Sequence, residues 1–129
     1  MENHILLIDD DEDERVLLEM AMRHCSKQAR VHQVQQFAHA VTFADTSPLT
    51  PNLIFLDLRL PETSGLDILT WIRTHERLQD VPVVVWSHTA SEEDIEESRL
   101  RGGNYFLSKM ADSSATRESV GYICANWLR

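Results

Sequence analysis

Leu53-Ile54-Phe55-Leu56-Asp57 decides how this chain folds: four apolar residues run straight into a carboxylate. A continuous apolar run, as opposed to an alternating one, reads as a strand buried on both faces, as in a parallel sheet covered by helices. A second run of this kind, Ile5-Leu6-Leu7-Ile8, ends in Asp9-Asp10. Two buried strands that each deliver carboxylates at their C-terminal ends can build one shared acidic site. Like charges gathered there need a cation, a proton or a reaction to offset their repulsion.

Outward from these runs, strand and helix signals alternate. Val16, Leu17, Met20 and Ala21 repeat at helical spacing after the first strand, up to about Ser26. Residues 31–35 form a weak, polar strand suited to a sheet edge, followed by a short helix over 38–45 and a loop with Pro48 and Pro51. After Asp57, Pro61 and Gly65 mark a loop before a helix carrying Leu66, Leu69 and Ile72. Val83-Val84-Val85-Trp86 is the fourth strand, with Pro82 at its start, where a missing donor is tolerated. Ser91 can cap the next helix, with Asp94 at its third position. That helix offers only Ile95 and Leu100 as large apolar residues, so light packing is expected, and Gly102-Gly103 stops it. Tyr105-Phe106-Leu107 is the fifth strand, and Val120, Ile123, Cys124, Trp127 and Leu128 step through a last helix. Five strand–helix units in strict alternation imply a doubly wound α/β sheet.

The 129 residues suit one domain, 1–129, with a single core. No internal linker appears, and the chain stops where the fifth helix ends, so no output domain is expected. No apolar stretch approaches the ~20 residues that span a bilayer and no basic leader precedes the first strand, so a cytoplasmic protein is expected. The formal net charge of −9 opposes binding to phosphate backbones, so neither nucleic acid nor membrane is an expected partner. The cluster Glu92, Glu93, Asp94, Glu96 and Glu97 reads as a solvated helix face. Cys25 and Cys124 fall at apolar helix positions without a CxxC, which reads as core packing and gives zinc no support. The six histidines lack ligand spacing, and no Ser/His/Asp order suggests a hydrolase.

In open α/β sheets the functional crevice lies beyond the carboxyl ends of the strands. Strand one ends in Asp9-Asp10, strand three in Asp57 and strand four in Ser87, while strand five leads to Lys109. Three carboxylates, a hydroxyl and an ammonium on one rim suit a hard divalent ion such as Mg2+ and a phosphoryl group. Asp57, on the more apolar and central strand, is the nucleophile of choice for an acyl phosphate. Asp9 and Asp10 are placed to hold the metal, and Lys109 and Ser87 to contact the phosphoryl oxygens.

The residues that carry this reading also carry a likeness. ILLIDDDEDERVLL (5–18), NLIFLDLRLPETSGLDIL (52–69), VPVVVWSHTA (81–90) and GGNYFLSK (102–109) make the chain resemble, over essentially its whole length, the receiver domain of two-component response regulators. The resemblance implies a flavodoxin-like fold with strand order 2-1-3-4-5 and phosphorylation of Asp57 by a partner histidine kinase or phosphotransfer protein. It also implies Mg2+ bound directly by Asp10 and Asp57, with the Arg59 backbone carbonyl as a third ligand and Asp9 acting through water. Ser87 and Phe106 resemble the coupled switch pair that alters the face made by helix four, strand five and helix five, for a downstream protein target.

Two departures stand out. The family usually has proline after the lysine, joined by a cis peptide; here Met110 follows Lys109, and because a non-proline cis bond costs about 2.5 to 4 kcal/mol a trans bond is expected. Arg59, His88 and Thr89 lie near the pocket, at positions the resemblance links to the rate of phosphate loss. Two rivals stand beside this reading. One is a degenerate receiver that binds partners without phosphorylation; the other is a Mg2+-dependent phosphatase of the haloacid dehalogenase type, which usually has a second Asp where this chain has Arg59. Trp127 suits an interface as well as a core, which leaves a homodimer open.

Overall fold

The computed structural model describes residues 3–25, 28–88, 91–109 and 113–127, apart from the side chains of Cys25, Ser113 and Ser114. Strands and helices alternate as β1 (Asn3–Ile8), α1 (Glu12–Cys25), β2 (Ala29–Val34), α2 (Phe37–Thr46) and β3 (Leu53–Leu56). They continue as α3 (Gly65–Thr74), β4 (Val83–Ser87), α4 (Glu92–Leu100), β5 (Tyr105–Ser108) and α5 (Ser113–Trp127). All neighbouring strands are parallel, in the order β2-β1-β3-β4-β5. This is the flavodoxin-like arrangement, with β3 and its terminal Asp57 at the centre.

Strand alternation sorts the core into two layers. Ile5, Leu7, Leu53, Phe55, Val84, Trp86 and Leu107 face α1 and α5, whose Leu18, Ala21, Met22, Val120, Ile123 and Cys124 complete that layer. Leu6, Ile8, Ile54, Leu56, Val83 and Val85 face α2 and α3, meeting Ala40, Ala44, Ile68, Leu69 and Ile72. Every residue of β3 and β4 is buried, whereas β2 at the edge has none that is fully buried. The polar edge expected of residues 31–35 is what the sheet shows.

Two expectations are corrected. Val16 and Met20 are exposed, and α1 instead buries Glu14, Leu18, Ala21 and Met22. The true stripe steps i, i+4, i+7, i+8 from an acidic residue, which an apolar pattern alone does not include. Trp127 is also exposed, so α5 packs through Thr116, Val120, Ile123 and Cys124. Cys124 is buried in the α1/α5 layer, as its apolar helix position implies, 3.7 Å from the Met22 sulfur, and is in addition held in a disulfide; the Cys25 side chain, Ser26 and Leu128 lie outside the described residues.

The helix expected to pack lightly does so. In α4 Ser98 is the only buried residue, while Ile95 and Leu100 are exposed. Its start is nevertheless well made: Ser91 Oγ accepts from the Asp94 N–H and Asp94 reaches back to the Ser91 N–H, a reciprocal cap. Among the described residues no helix is long and apolar enough to cross a membrane.

Candidate functional site

The sheet ladder continues one residue past β1 and β3, and that extension aims the acidic side chains. The Asp9 N–H donates to the Val34 carbonyl and the Asp57 N–H to the Ile8 carbonyl, both at 3.0 Å. Alternation then puts Asp9 above Leu7 and Asp57 above Phe55, on the α1/α5 side of the rim. Beyond Asp57 the chain turns sharply. The Arg59 N–H donates to Asp57 Oδ1 at 2.9 Å, and the Gly65 N–H closes the loop on the Leu58 carbonyl at 3.2 Å. A Cβ on Gly65 would stand 2.5 Å from both the Asp57 carbonyl oxygen and Leu58 Cα, so only glycine permits this approach.

Oxygen atoms of Asp9, Asp10 and Asp57 all come within 4.8 Å of one another. Asp9 is buried and both its oxygens have protein donors: Oδ1 accepts from the Asp11 N–H at 2.9 Å, Oδ2 from Lys109 Nζ at 2.7 Å. The same ammonium lies 3.2 Å from Asp57 Oδ2 and 5.3 Å from the centre of the Trp86 ring. Asp10 is exposed at the mouth, beside a cleft of about 130 Å³ lined with Phe37, Leu60 and Pro61.

Two of the three carboxylates, Asp9 and Asp57, therefore share one buried ammonium. Burial is the largest influence on Asp9 and holds its carboxyl above the ordinary carboxylate value, although Lys109 and the Asp11 N–H pull the other way. For Lys109 burial acts to lower the pKa, but its hydrogen bond and charge interactions with Asp9 and Asp57 together outweigh it and leave the pKa raised. With three carboxylates against one ammonium, the rim carries a negative surplus. An oxygen-only donor set with a negative surplus fits a hard divalent cation.

The structure thus brings Asp9, Asp10, Asp57 and Lys109 together. Ser87 is buried on the same rim and pairs in register with Ser108, while Phe106 pairs with Val85 and packs in the α2/α3 layer. Ser87 continues the Val83–Val85 alternation, so hydroxyl and ring share one face of the sheet. The Arg59 side chain is exposed and reaches Asp94 of the α4 cap at 3.4 Å. Thr89 and the Lys109–Met110 peptide lie outside the described residues.

Two features escaped sequence reasoning. Glu14, buried on α1, accepts at 2.7 Å from His88 Nε2, tying the helix to the end of β4. Its signal in the sequence was an acidic residue four before Leu18, in phase with the buried stripe. Arg73 donates from α3 to the carbonyls of Val81 and Gly102 and to Asn104 Oδ1, at 2.7 to 2.8 Å, locking the loops before β4 and β5. Nothing in an isolated arginine announces such a role.

Comparison with known proteins agrees with this geometry. The phosphorylated cyanobacterial phytochrome response regulator RcpA superposes with a TM-score of 0.90 at 28% identity, over 99% of this chain and 95% of that one. The Mn2+-bound response regulator Rcp1 gives 0.85 at 27%, over 98% and 95%. The receiver domain of the sensor histidine kinase PA1611 from Pseudomonas aeruginosa, with magnesium in its active-site cleft, gives 0.80 at 26%, over 99% and 98%. Among curated sequences, the probable methanogenesis regulatory protein FilR2 of Methanothrix harundinacea is 27% identical over 96% of this chain and 83% of its own length. The Pseudomonas aeruginosa regulator GltR is 32% identical over 81% of this chain, which spans only 42% of it. The model of the response regulator receiver domain matches residues 5–120, and with the strand order and the acidic rim in place the chain belongs to that family.

Proposed function

We propose that this receiver takes a phosphoryl group onto Asp57 from a histidine kinase or phosphotransfer protein in the cytoplasm and passes the signal on through a protein surface. The observation that carries the reading is the buried Asp57 carboxylate on the central strand, facing the Lys109 ammonium and two further carboxylates within 4.8 Å. Asp10, Asp57 and the Arg59 backbone carbonyl would hold Mg2+ directly, and Asp9, whose oxygens already have protein donors, would act through water. Bound there, the ion supplies positive charge to the phosphoryl oxygens.

The chain's own residues do the rest. An Asp57 carboxylate oxygen attacks phosphorus as the bond to the donor breaks, giving an acyl phosphate. Lys109 exchanges its contact with Asp57 for one with a phosphoryl oxygen, and the Ser87 hydroxyl donates to another. Moving Ser87 inward releases space on the face it shares with Phe106, and the ring follows, altering the surface of α4, β5 and α5. Light packing of α4 keeps the cost of that change small. The chemistry is limited to its own phosphorylation and dephosphorylation, and the role is signalling. A phosphatase of the dehalogenase type gains no support, since the residue two after Asp57 is an arginine directed to Asp94.

The test is intact-mass measurement after incubation with Mg2+ and acetyl phosphate, with Asp57→Asn alongside. A phosphate adduct on the wild type alone is expected. Its absence from both proteins would favour a degenerate receiver that binds partners without phosphorylation.

A further inference from the structure

We propose that Cys25 and Cys124 form a reversible thiol–disulfide switch, which in its oxidised state clamps α5 to α1 and stiffens the α5 side of the signalling surface. The inference goes beyond the reading of Asp57 and rests on it only for the use of that surface and for a cytoplasmic setting. Three observations carry it.

The first is the bond. Cys124 is held in a disulfide, and because the chain has two cysteines, Cys25 is its other half. The placement of the helices agrees. Cys124 Sγ lies 3.7 Å from the Met22 sulfur of α1, and position 25, three residues on, follows Met22 along the same helix face.

The second is that the fold does not depend on the bond. Leu18, Ala21 and Met22 of α1 and Val120 and Ile123 of α5 are buried in one apolar layer whether the sulfurs are joined or not. A 129-residue chain with apolar layers on both faces of its sheet is not one of the small domains that disulfides keep folded. In a reducing compartment the disulfides that do form are transient or redox-sensing.

The third is position. Cys25 is the last residue of α1, and Arg23, His24, Ala125 and Asn126 around the pair are exposed, so a small thiol or disulfide reaches these helix ends without opening the core. The acidic rim is at the opposite end of the sheet. Cys25 precedes β2, whose Ala29 pairs with Asn3 at the start of β1, whereas Asp9 follows the end of that strand. Thiol chemistry there leaves the acceptor site in place and acts on α5 instead. Tyr122, two residues before Cys124, is exposed and lies against Tyr105 of β5 at 5.5 Å between ring centres, so the clamp extends to the surface assigned to signalling.

In the oxidising step the Cys25 thiolate attacks one sulfur of a low-molecular-weight disulfide such as oxidised glutathione, and one glutathione thiolate leaves. The Cys124 thiolate then displaces the second glutathione from the Cys25 sulfur. Two protein thiols are oxidised, one glutathione disulfide is reduced to two thiols, and the two cysteine protons end on the departing glutathiones.

The test equilibrates wild type, Cys25→Ser and Cys124→Ala in glutathione buffers from fully reduced to fully oxidised. Each sample is unfolded, its free thiols are alkylated, and the alkyl groups are counted by intact mass. Wild type should pass from two alkyl groups to none across the series without gaining glutathione, whereas each single-cysteine variant stays alkylated or carries glutathione. Amide hydrogen exchange in α5 should be several-fold slower in oxidised than in reduced wild type and equal in the two buffers for the variants. Loading of Asp57 from acetyl phosphate should be the same in both states. Two alkyl groups under every condition would show packed thiols only, and none under any condition would show a permanent staple. Either result, or equal α5 exchange in the two states, overturns the proposal. Thiol counts and exchange need no phosphorylation, so failure of Asp57 to load would strike the reading of Asp57 and leave the redox result standing.

Discussion

The Lys109 ammonium lies 2.7 Å from Asp9 Oδ2 and 3.2 Å from Asp57 Oδ2, so one buried cation serves carboxylates from two neighbouring strands. Lysine and both acids are nearly inaccessible, and removing the only buried counter-charge among the described residues of the site leaves two carboxylates uncompensated. Lys109→Met should therefore destabilise the metal-free fold by about 3 kcal/mol, and Mg2+ should recover more stability in the variant than in wild type. Urea denaturation with and without Mg2+ measures both quantities. An equal Mg2+ increment in the two proteins would contradict the shared-cation account.

Asp9 makes the site sensitive to pH in a defined direction. Its carboxyl is held above the ordinary aspartate value by burial, so just above that ordinary value the native state retains a proton that the unfolded chain has released. Stability of the metal-free protein attributable to Asp9 is therefore greater at the acid end of this window and falls as pH rises through the native value. Mg2+ competes with the same proton, and its stabilisation should grow over the same rise. Urea midpoints across this range should fall more steeply with pH, or rise less, for wild type than for Asp9→Asn. Parallel profiles would show that Asp9 carries no such linkage.

Gly65 ties the loop after β3 to the Asp57 backbone. A methyl group there meets backbone, not a flexible side chain, so the loop must shift. Gly65→Ala should cost about 2 kcal/mol and weaken Mg2+ binding as well, because the displaced segment includes the Arg59 carbonyl and the N–H that holds Asp57 Oδ1. Calorimetric titration checks the second part; unchanged affinity would separate the glycine from the site.

Trp86 offers an optical report. The ring is buried, packs edge-on against Phe55 at 5.7 Å between centres, and carries the Lys109 ammonium over its face. Mg2+ binding that redistributes charge around Lys109 should change its emission, and Trp86→Phe should remove the change while Trp71 and Trp127 remain. A flat titration of wild type would count against a common pocket.

Much of this was legible because buried strands are the least ambiguous elements of such a fold. Leu53–Leu56 and Val83–Trp86 have no polar residue to blur them, and the rim residues that follow them take their facing from strand alternation. Helix phase was harder. In α1 the buried stripe begins at Glu14, and an acidic residue has no place in an apolar count, so the helical spacing of Val16 and Met20 marks a face that the fold turns to solvent. The contact of Glu14 with His88 spans 74 residues and depends on tertiary packing alone. The same holds for Arg73, whose acceptors are backbone carbonyls that every residue possesses.

The central claim, that Asp57 is the residue which receives the phosphoryl group, is tested most directly by trapping the acyl phosphate. Borohydride reduces an aspartyl phosphate to homoserine, and peptide mass mapping after treatment with acetyl phosphate and Mg2+ locates the product. Homoserine at position 57 and at no other aspartate is expected. Its appearance at Asp9 or Asp10, or phosphorylated protein with position 57 still aspartate after reduction, would contradict the account.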